Sequence, residues 1–139
     1  MTLHAYTDGA SRGNPGESGI GAIVKTEAGT TIFSFHRHIG RATNNIAEYS
    51  ALIELLERMR EVPCTHLVVH SDSELMVRQL NGSYKVKDPE LRRRYDRCRA
   101  LCQELPFDLE IRHVTREQNR EADQLANEGI DSAQGLRAG

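Results

Sequence analysis

Polar and apolar positions alternate over residues 3–8, and that period of two predicts a strand. Asn14-Pro15-Gly16 follows as a turn signal. Residues 19–26 and 31–38 read as two more strands, joined by a hairpin turn across Glu27-Ala28-Gly29. From residue 45 to about 60 the period becomes helical, with Leu52, Leu55, Leu56 and Met59 as the apolar stripe and Pro63 beyond its end. Residues 66–72 enclose Leu67-Val68-Val69, an apolar run suited to a strand covered on both faces. A short helix over 73–80 stops at Asn81-Gly82. Asp88-Pro89-Glu90 opens the best-marked helix: Asp88 as cap, Pro89 in the first helical position, Glu90 toward the positive end of the helix dipole. Leu91, Tyr95, Cys98, Cys102 and Leu105 then recur at helical spacing, and Pro106 ends the run. Residues 109–114 read as a last strand and 118–128 as a last helix, with Gly129 as its C-terminal cap.

The order is β-β-β-α-β-α-α-β-α. Strands joined by hairpins come first and strands alternating with helices follow, which predicts an α/β fold with a mixed sheet and helices on both faces. Residues 1–129 make one domain. Residues 130–139 hold little to bury and read as a flexible C-terminal tail.

Composition narrows the function classes. A chain of 139 residues with 38% apolar and 27% charged residues buries a core without disulfides. Three cysteines are a poor disulfide framework, and Cys98 and Cys102, four apart, read as small core residues rather than half of a zinc site. No run is long enough to span a membrane, so no membrane partner is expected. The first residues carry no signal-peptide pattern, and a cytoplasmic location is the expectation. A monomer with no obligatory protein partner is expected as well. The net charge of −2 does not announce nucleic acid, but residues 85–99 carry seven basic side chains against three acidic ones. That excess suits phosphates and equally suits a solvated helix face.

Certain acids fall where chemistry gathers. Asp8 and Asp72 each end a predicted strand, and sites in open α/β sheets form beyond the carboxyl ends of strands. Glu48 lies four before Leu52 and seven before Leu55, on the apolar face of its helix. A carboxylate there must be hydrogen-bonded, protonated or bound to a cation. Asp123 falls within the last helix. Each has a plainer reading: a turn at Asp8-Gly9, a capping box between Asn45 and Glu48, a cap at Asp72, a solvated acid at Asp123. Carboxylates brought together stay ionised only with cations between them, and oxygen-only ligands favour Mg²⁺ or Mn²⁺. The chemistry so indicated is metal-assisted phosphoryl transfer.

The segment Thr7-Asp8-Gly9-Ala10-Ser11-Arg12-Gly13-Asn14-Pro15-Gly16 resembles the opening motif of type 1 ribonucleases H. Thr43-Asn44-Asn45-Ile46-Ala47-Glu48, Ser71-Asp72-Ser73 and Asn119-Arg120-Glu121-Ala122-Asp123 are similar to the family's next three motifs, in the family's order. The resemblance covers residues 3–128. It implies a ribonuclease H-like fold, a five-stranded mixed sheet of order 3-2-1-4-5 flanked by helices, which would bring Asp8 and Asp72 together. It also implies an endonuclease that cuts the RNA strand of RNA–DNA hybrids. Two Mg²⁺ (or Mn²⁺) ions would be held by Asp8, Glu48, Asp72 and Asp123, one activating water and one stabilising the departing 3′ oxygen. The products would carry 5′-phosphate and 3′-hydroxyl ends. Gly9, Asn14, Asn44, Asn45 and Ser73 would contact the hybrid in its minor groove, where the 2′-hydroxyl tells RNA from DNA; turn and cap chemistry explains the same side chains without a substrate.

Two features depart from that pattern. Many members carry a long basic insertion where this chain has only residues 81–88, with Lys85 and Lys87. Many also place a mobile histidine in the loop before the last acid, whereas here the connection is Thr115-Arg116-Glu117 and His113 reads as part of the strand, in a structural role. Other readings are a non-cleaving hybrid- or RNA-binding module, another metal nuclease on the same fold such as a junction resolvase or transposase core, and a detached domain of a reverse transcriptase. Retention of all four acids favours the enzyme over the module.

Overall fold

A computed structural model describes the backbone of residues 1–138 and the side chains of residues 1–132. Three long strands come first: β1 (Thr2–Gly13), β2 (Gly16–Thr26) and β3 (Thr31–Ala42). Helix α1 (Asn44–Met59), β4 (His66–Ser71), α2 (Glu74–Leu80), α3 (Pro89–Glu104) and β5 (Asp108–His113) follow. A 3-10 turn, Glu117–Asn119, leads into α4 (Arg120–Ala138). The five strands form one sheet of order β3-β2-β1-β4-β5, the order implied by the family resemblance. β1, β2 and β3 pair antiparallel, while β4 lies parallel to β1 and β5 parallel to β4. Among the described residues no helix is long and apolar enough to cross a membrane.

Alternation along the strands decides which face meets which helix. Leu3, Ala5, Ile20, Ala22, Val24, Leu67 and Val69 are buried beside the α1 stripe of Leu52, Leu55, Leu56 and Met59, with Cys98 and Leu101 of α3 in the same core. Cys98 is therefore the core residue its spacing suggested, and Cys102 is half-buried beside it. The best-marked helix starts as expected: Asp88 accepts from Glu90 N–H at 2.8 Å and from Leu91 N–H at 3.2 Å.

Helix α4 covers the opposite face, over β1, β2 and β3, through Ala122, Ala126 and Ile130, all at 0% exposure. Main chain nearly touches main chain there. A Cβ on Gly19 would lie 2.3 Å from the Ala126 carbonyl oxygen, and one on Gly21 would lie 2.5 Å from the Ala126 nitrogen. On the helix side, a Cβ on Gly129 would lie 2.6 Å from the Arg37 carbonyl oxygen of β3. This corrects the reading of Gly129 as a helix stop: the helix continues through it, and glycine is there for close approach. Ile130 is buried, Asp131 pairs with Arg12 at 2.7 Å and Ser132 bonds Gly129, so these residues are packed rather than a tail. For Gly139 and the side chains of 133–139, the expected flexible tail lies outside the described residues.

β1 and β3 are longer than the alternation suggested. β1 does not end at Asp8 but continues to Gly13, paired with β2 up to Gly13↔Gly16. Its other neighbour, β4, stops at Ser71, paired with Thr7. Asp8 and Asp72 each follow that last pair, so the sheet narrows where the two acids stand.

Candidate active site

The elements bring three carboxylates to one point. Asp8, Glu48 and Asp72 each offer an oxygen, and these oxygens all lie within 4.8 Å of one another. Register places Asp8 and Asp72 side by side, and α1 supplies Glu48 from above β1. Gly9 makes that approach possible: a Cβ there would stand 2.2 Å from the Ala47 carbonyl carbon. The same closeness lets Gly9 N–H donate to Glu48 Oε1 at 2.7 Å. Glu48 thus serves no capping box with Asn45. The cap of α1 is Thr43, whose hydroxyl accepts from Ile46 N–H at 3.2 Å, and the cap of α2 is Ser73 rather than Asp72.

Asp123 enters from the first turn of α4. It is exposed, lies outside the 4.8 Å cluster, and lines the same cleft, where it adds to the upward push on the Asp8 carboxyl. Asn127, one turn later, donates to the Asp123 carbonyl at 3.0 Å. The cleft holds about 410 Å³ and is lined by Asp8, Gly9, Ala10, Ser11, Asn44, Asn45, Glu48, Asp72, Ser73, Arg116 and Asp123.

Four of the five expected substrate contacts therefore share the cleft with the acids. Asn14 is not among its lining; its Oδ1 accepts from Asn44 N–H at 3.0 Å, tying the β1–β2 turn to the cleft wall. The Ser73 hydroxyl is engaged in capping, accepting from Met76 N–H at 3.2 Å. His113, exposed at the end of β5, lines a separate groove with Arg78 and Arg112. Sequence reasoning missed Arg116 in the cleft. A lone arginine between a strand and a helix has no periodicity or motif to mark it.

The charges of the cluster are in conflict. Burial first, and then the carboxylates of Glu48 and Asp72, raise Asp8 from 3.8 to about 10. Burial and Asp72 raise Glu48 from 4.5 to about 8, against the opposing hydrogen bonds from Asp8 and Gly9. Asp8 and Glu48 are only 5% and 8% exposed. Without a cation the group must hold protons; with one between them the acids ionise together. The donors are all oxygen, several bear negative charge, and the cleft is open to solvent on one side. That set fits a hard divalent ion that keeps some of its water, such as Mg²⁺ or Mn²⁺.

A mixed sheet of order 3-2-1-4-5 that gathers carboxylates beyond the β1–β4 pair defines the ribonuclease H-like class of folds. Comparison with known proteins is more specific. A family model described as reverse transcriptase-like matches residues 6–129. The chain is 44% identical over 131 residues to ribonuclease HI of Halobacterium salinarum, covering 94% of this chain and 65% of that protein. It is 42% identical over 134 residues to a bifunctional protein of Mycobacterium tuberculosis, covering 96% of this chain and 36% of that one. Thus it spans about two thirds of the first relative's length and about a third of the second's. The crystal structure of RNase H1 from Halobacterium salinarum superposes with a TM-score of 0.90 at 42% identity, over 95% of this chain and 99% of that one. LC11-RNase H1, a compost metagenome protein solved in complex with an RNA/DNA hybrid, also reaches 0.90, at 41% identity and the same coverage. The chain belongs to the type 1 ribonuclease H family.

Proposed function

We propose that this chain is an endonuclease that hydrolyses the RNA strand of RNA–DNA hybrids, using two divalent ions and leaving 5′-phosphate and 3′-hydroxyl ends. The observation that carries this is the gathering of Asp8, Glu48 and Asp72 within 4.8 Å, with Asp123 on the same cleft. The hybrid bound by LC11-RNase H1, a protein 41% identical to this one, supports the choice of substrate. Asp8, Glu48, Asp72 and Asp123 would hold the ions, Mg²⁺ or Mn²⁺. When bound, such ions lower the pKa of attacking water and neutralise charge on the departing oxygen. The protein's own share is positional. Gly9 N–H holds Glu48 in one orientation, and Asn127 holds Asp123. The cleft wall of Gly9, Asn44, Asn45 and Ser73 would lie against the minor groove, where amide side chains and main-chain groups meet 2′-hydroxyls. Asn14 would act on the substrate through its hold on Asn44. Residues 1–129, with α4 extending the fold beyond them, would work as a monomer, since the core closes within one chain.

The test uses a hybrid labelled on either strand, with Mg²⁺, with Mn²⁺ and with chelator, beside Asp72→Asn. The expected result is cutting of the RNA strand alone, only with metal, and a loss of at least about a hundredfold in the variant. Wild-type protein that binds hybrid and cuts nothing under either metal would instead make the chain a binding module.

A further inference from the structure

Because β1 continues past Asp8, Ala10 and Arg12 follow that acid on the face that meets α4. The glycines of β2 mark the same face: Asp8 pairs with Gly21 and Ala10 with Gly19, and both glycines lie against Ala126. On the helix, Asp123, Asn127 and Asp131 recur every four residues and form one stripe. Arg12 meets this stripe. Its Nη1 donates to Asp131 Oδ1 at 2.7 Å and its Nη2 to Asn127 Oδ1 at 3.4 Å. Asn127 Nδ2 in turn donates to the Asp123 carbonyl at 3.0 Å and to Asp123 Oδ1 at 3.4 Å. A chain of donors thus runs from the extension of β1 to the fourth acid of the cleft.

Arg12 sets the direction of that chain. A side-chain amide can present either its oxygen or its NH₂ group to a neighbour, and only the NH₂ group attracts a carboxylate. A guanidinium only donates, so it claims the Asn127 oxygen and leaves the NH₂ group for Asp123. Asp123 depends on such support more than the other acids do. Asp8, Glu48 and Asp72 gather within 4.8 Å and Gly9 holds Glu48, whereas Asp123 is exposed and stands outside that cluster. Arg12 itself is not among the residues lining the cleft. Resting on the reading of Asp123 as an ion ligand, we infer that Arg12 is a positioning residue. Acting through Asn127, it holds one Asp123 oxygen, leaves the other for a divalent ion, and so tightens binding of that ion. Partners that orient a ligand from behind set metal affinity in this way. The charge of Arg12 alone would do the opposite, since it repels a cation.

The experiment compares wild type with Arg12→Met, Arg12→Lys, Asn127→Ala, the double variant Arg12→Met with Asn127→Ala, and Asp123→Asn. One readout is the Mg²⁺ concentration at half-maximal cleavage of a hybrid. The other is calorimetric titration of Mn²⁺ into protein free of hybrid, which needs no cleavage. Asn127→Ala should weaken metal binding about tenfold and Arg12→Met about three- to tenfold, with Arg12→Lys between Arg12→Met and wild type. The double variant should match Asn127→Ala alone, because Arg12 acts through that amide. Exposed ion pairs contribute little to stability, so every variant should fold, and a plain loss of packing would lower the melting temperature without moving metal affinity. Arg12→Met within about twofold of wild type in both readouts, beside a clear loss in Asp123→Asn, overturns the inference and leaves hybrid cleavage standing. Tighter binding in Arg12→Met, or losses that add in full in the double variant, overturn it as well. Mn²⁺ binding unchanged in both Arg12→Met and Asp123→Asn removes Asp123 from the ligands, and the inference falls with that reading. Weaker Mn²⁺ binding in Arg12→Met, in a protein that cuts nothing, keeps the relay and removes the hydrolytic reading.

Discussion

Neutralising Asp8 should stabilise the metal-free protein while abolishing its activity. The Asp8 carboxyl is 5% exposed, and burial together with Glu48 and Asp72 raises it from 3.8 to about 10. An acid raised in this way keeps its proton in the folded chain at pH values where the unfolded chain has lost it. The folded state then binds more protons than the unfolded one, so stability falls as pH climbs above about 3.8 and keeps falling toward about 10. At about pH 7 the interval is about three pH units of about 1.4 kcal/mol each, which caps the penalty at about 4 kcal/mol. Water in the open cleft and the partial exposure of Asp72 reduce this, and Asp8→Asn should gain about 1–3 kcal/mol. In a domain of this size that is a rise in Tm of about 4–12 °C. The assay is thermal unfolding of both proteins in chelator from about pH 4 to about pH 9, repeated with Mg²⁺. The gain should vanish at the acid end and grow with pH. Mg²⁺ should raise the Tm of wild type and leave the variant nearly unchanged, because a ligand stabilises only the fold that binds it. A gain independent of pH, or a variant less stable than wild type at the alkaline end, would refute the reasoning, since the acids would then not be strained by their own charge.

Two further outcomes test how the site is supported. Gly9→Ala should cost about 2–3 kcal/mol in urea unfolding and most of the hybrid cleavage, because its methyl would meet the Ala47 main chain and push α1 off β1; an unchanged midpoint would contradict that contact. Tyr49→Phe removes the buried O–H that donates to Gln79 Oε1 at 2.6 Å, and should lower the unfolding free energy by about 1–2 kcal/mol, seen as a lower urea midpoint with no change in the slope.

Much of this architecture was legible because hydrophobic period and turn chemistry agreed. The β1–β2–β3 hairpins, the α1 stripe and the Asp88-Pro89-Glu90 start all stand as read. What escaped was set by partners distant in sequence. β1 extends past Asp8 because β2 continues to pair with it, and residues 9–13 lack the alternation that marks a half-buried strand. Gly129 carries the local signature of a helix end, but the β3 main chain beneath it decides otherwise. The acids were visible by position, Glu48 above all, since a carboxylate in an apolar stripe is a local contradiction. Thr43 took the cap that Asn45 seemed suited to, which left Glu48 free to receive Gly9 N–H. Arg116 became visible only when the loop between β5 and α4 was closed against Thr7 and Ser71.

The glycines under α4 reach further than packing. Asp123 stands less than one helical turn from Ala126, whose main chain rests against Gly19 and Gly21. The height of the fourth carboxylate above the other three is therefore gauged by two residues with no side chain at all. A search for variants with altered metal affinity would recover substitutions at Gly19 and Gly21, positions that offer an ion no ligand, alongside those at the acids themselves.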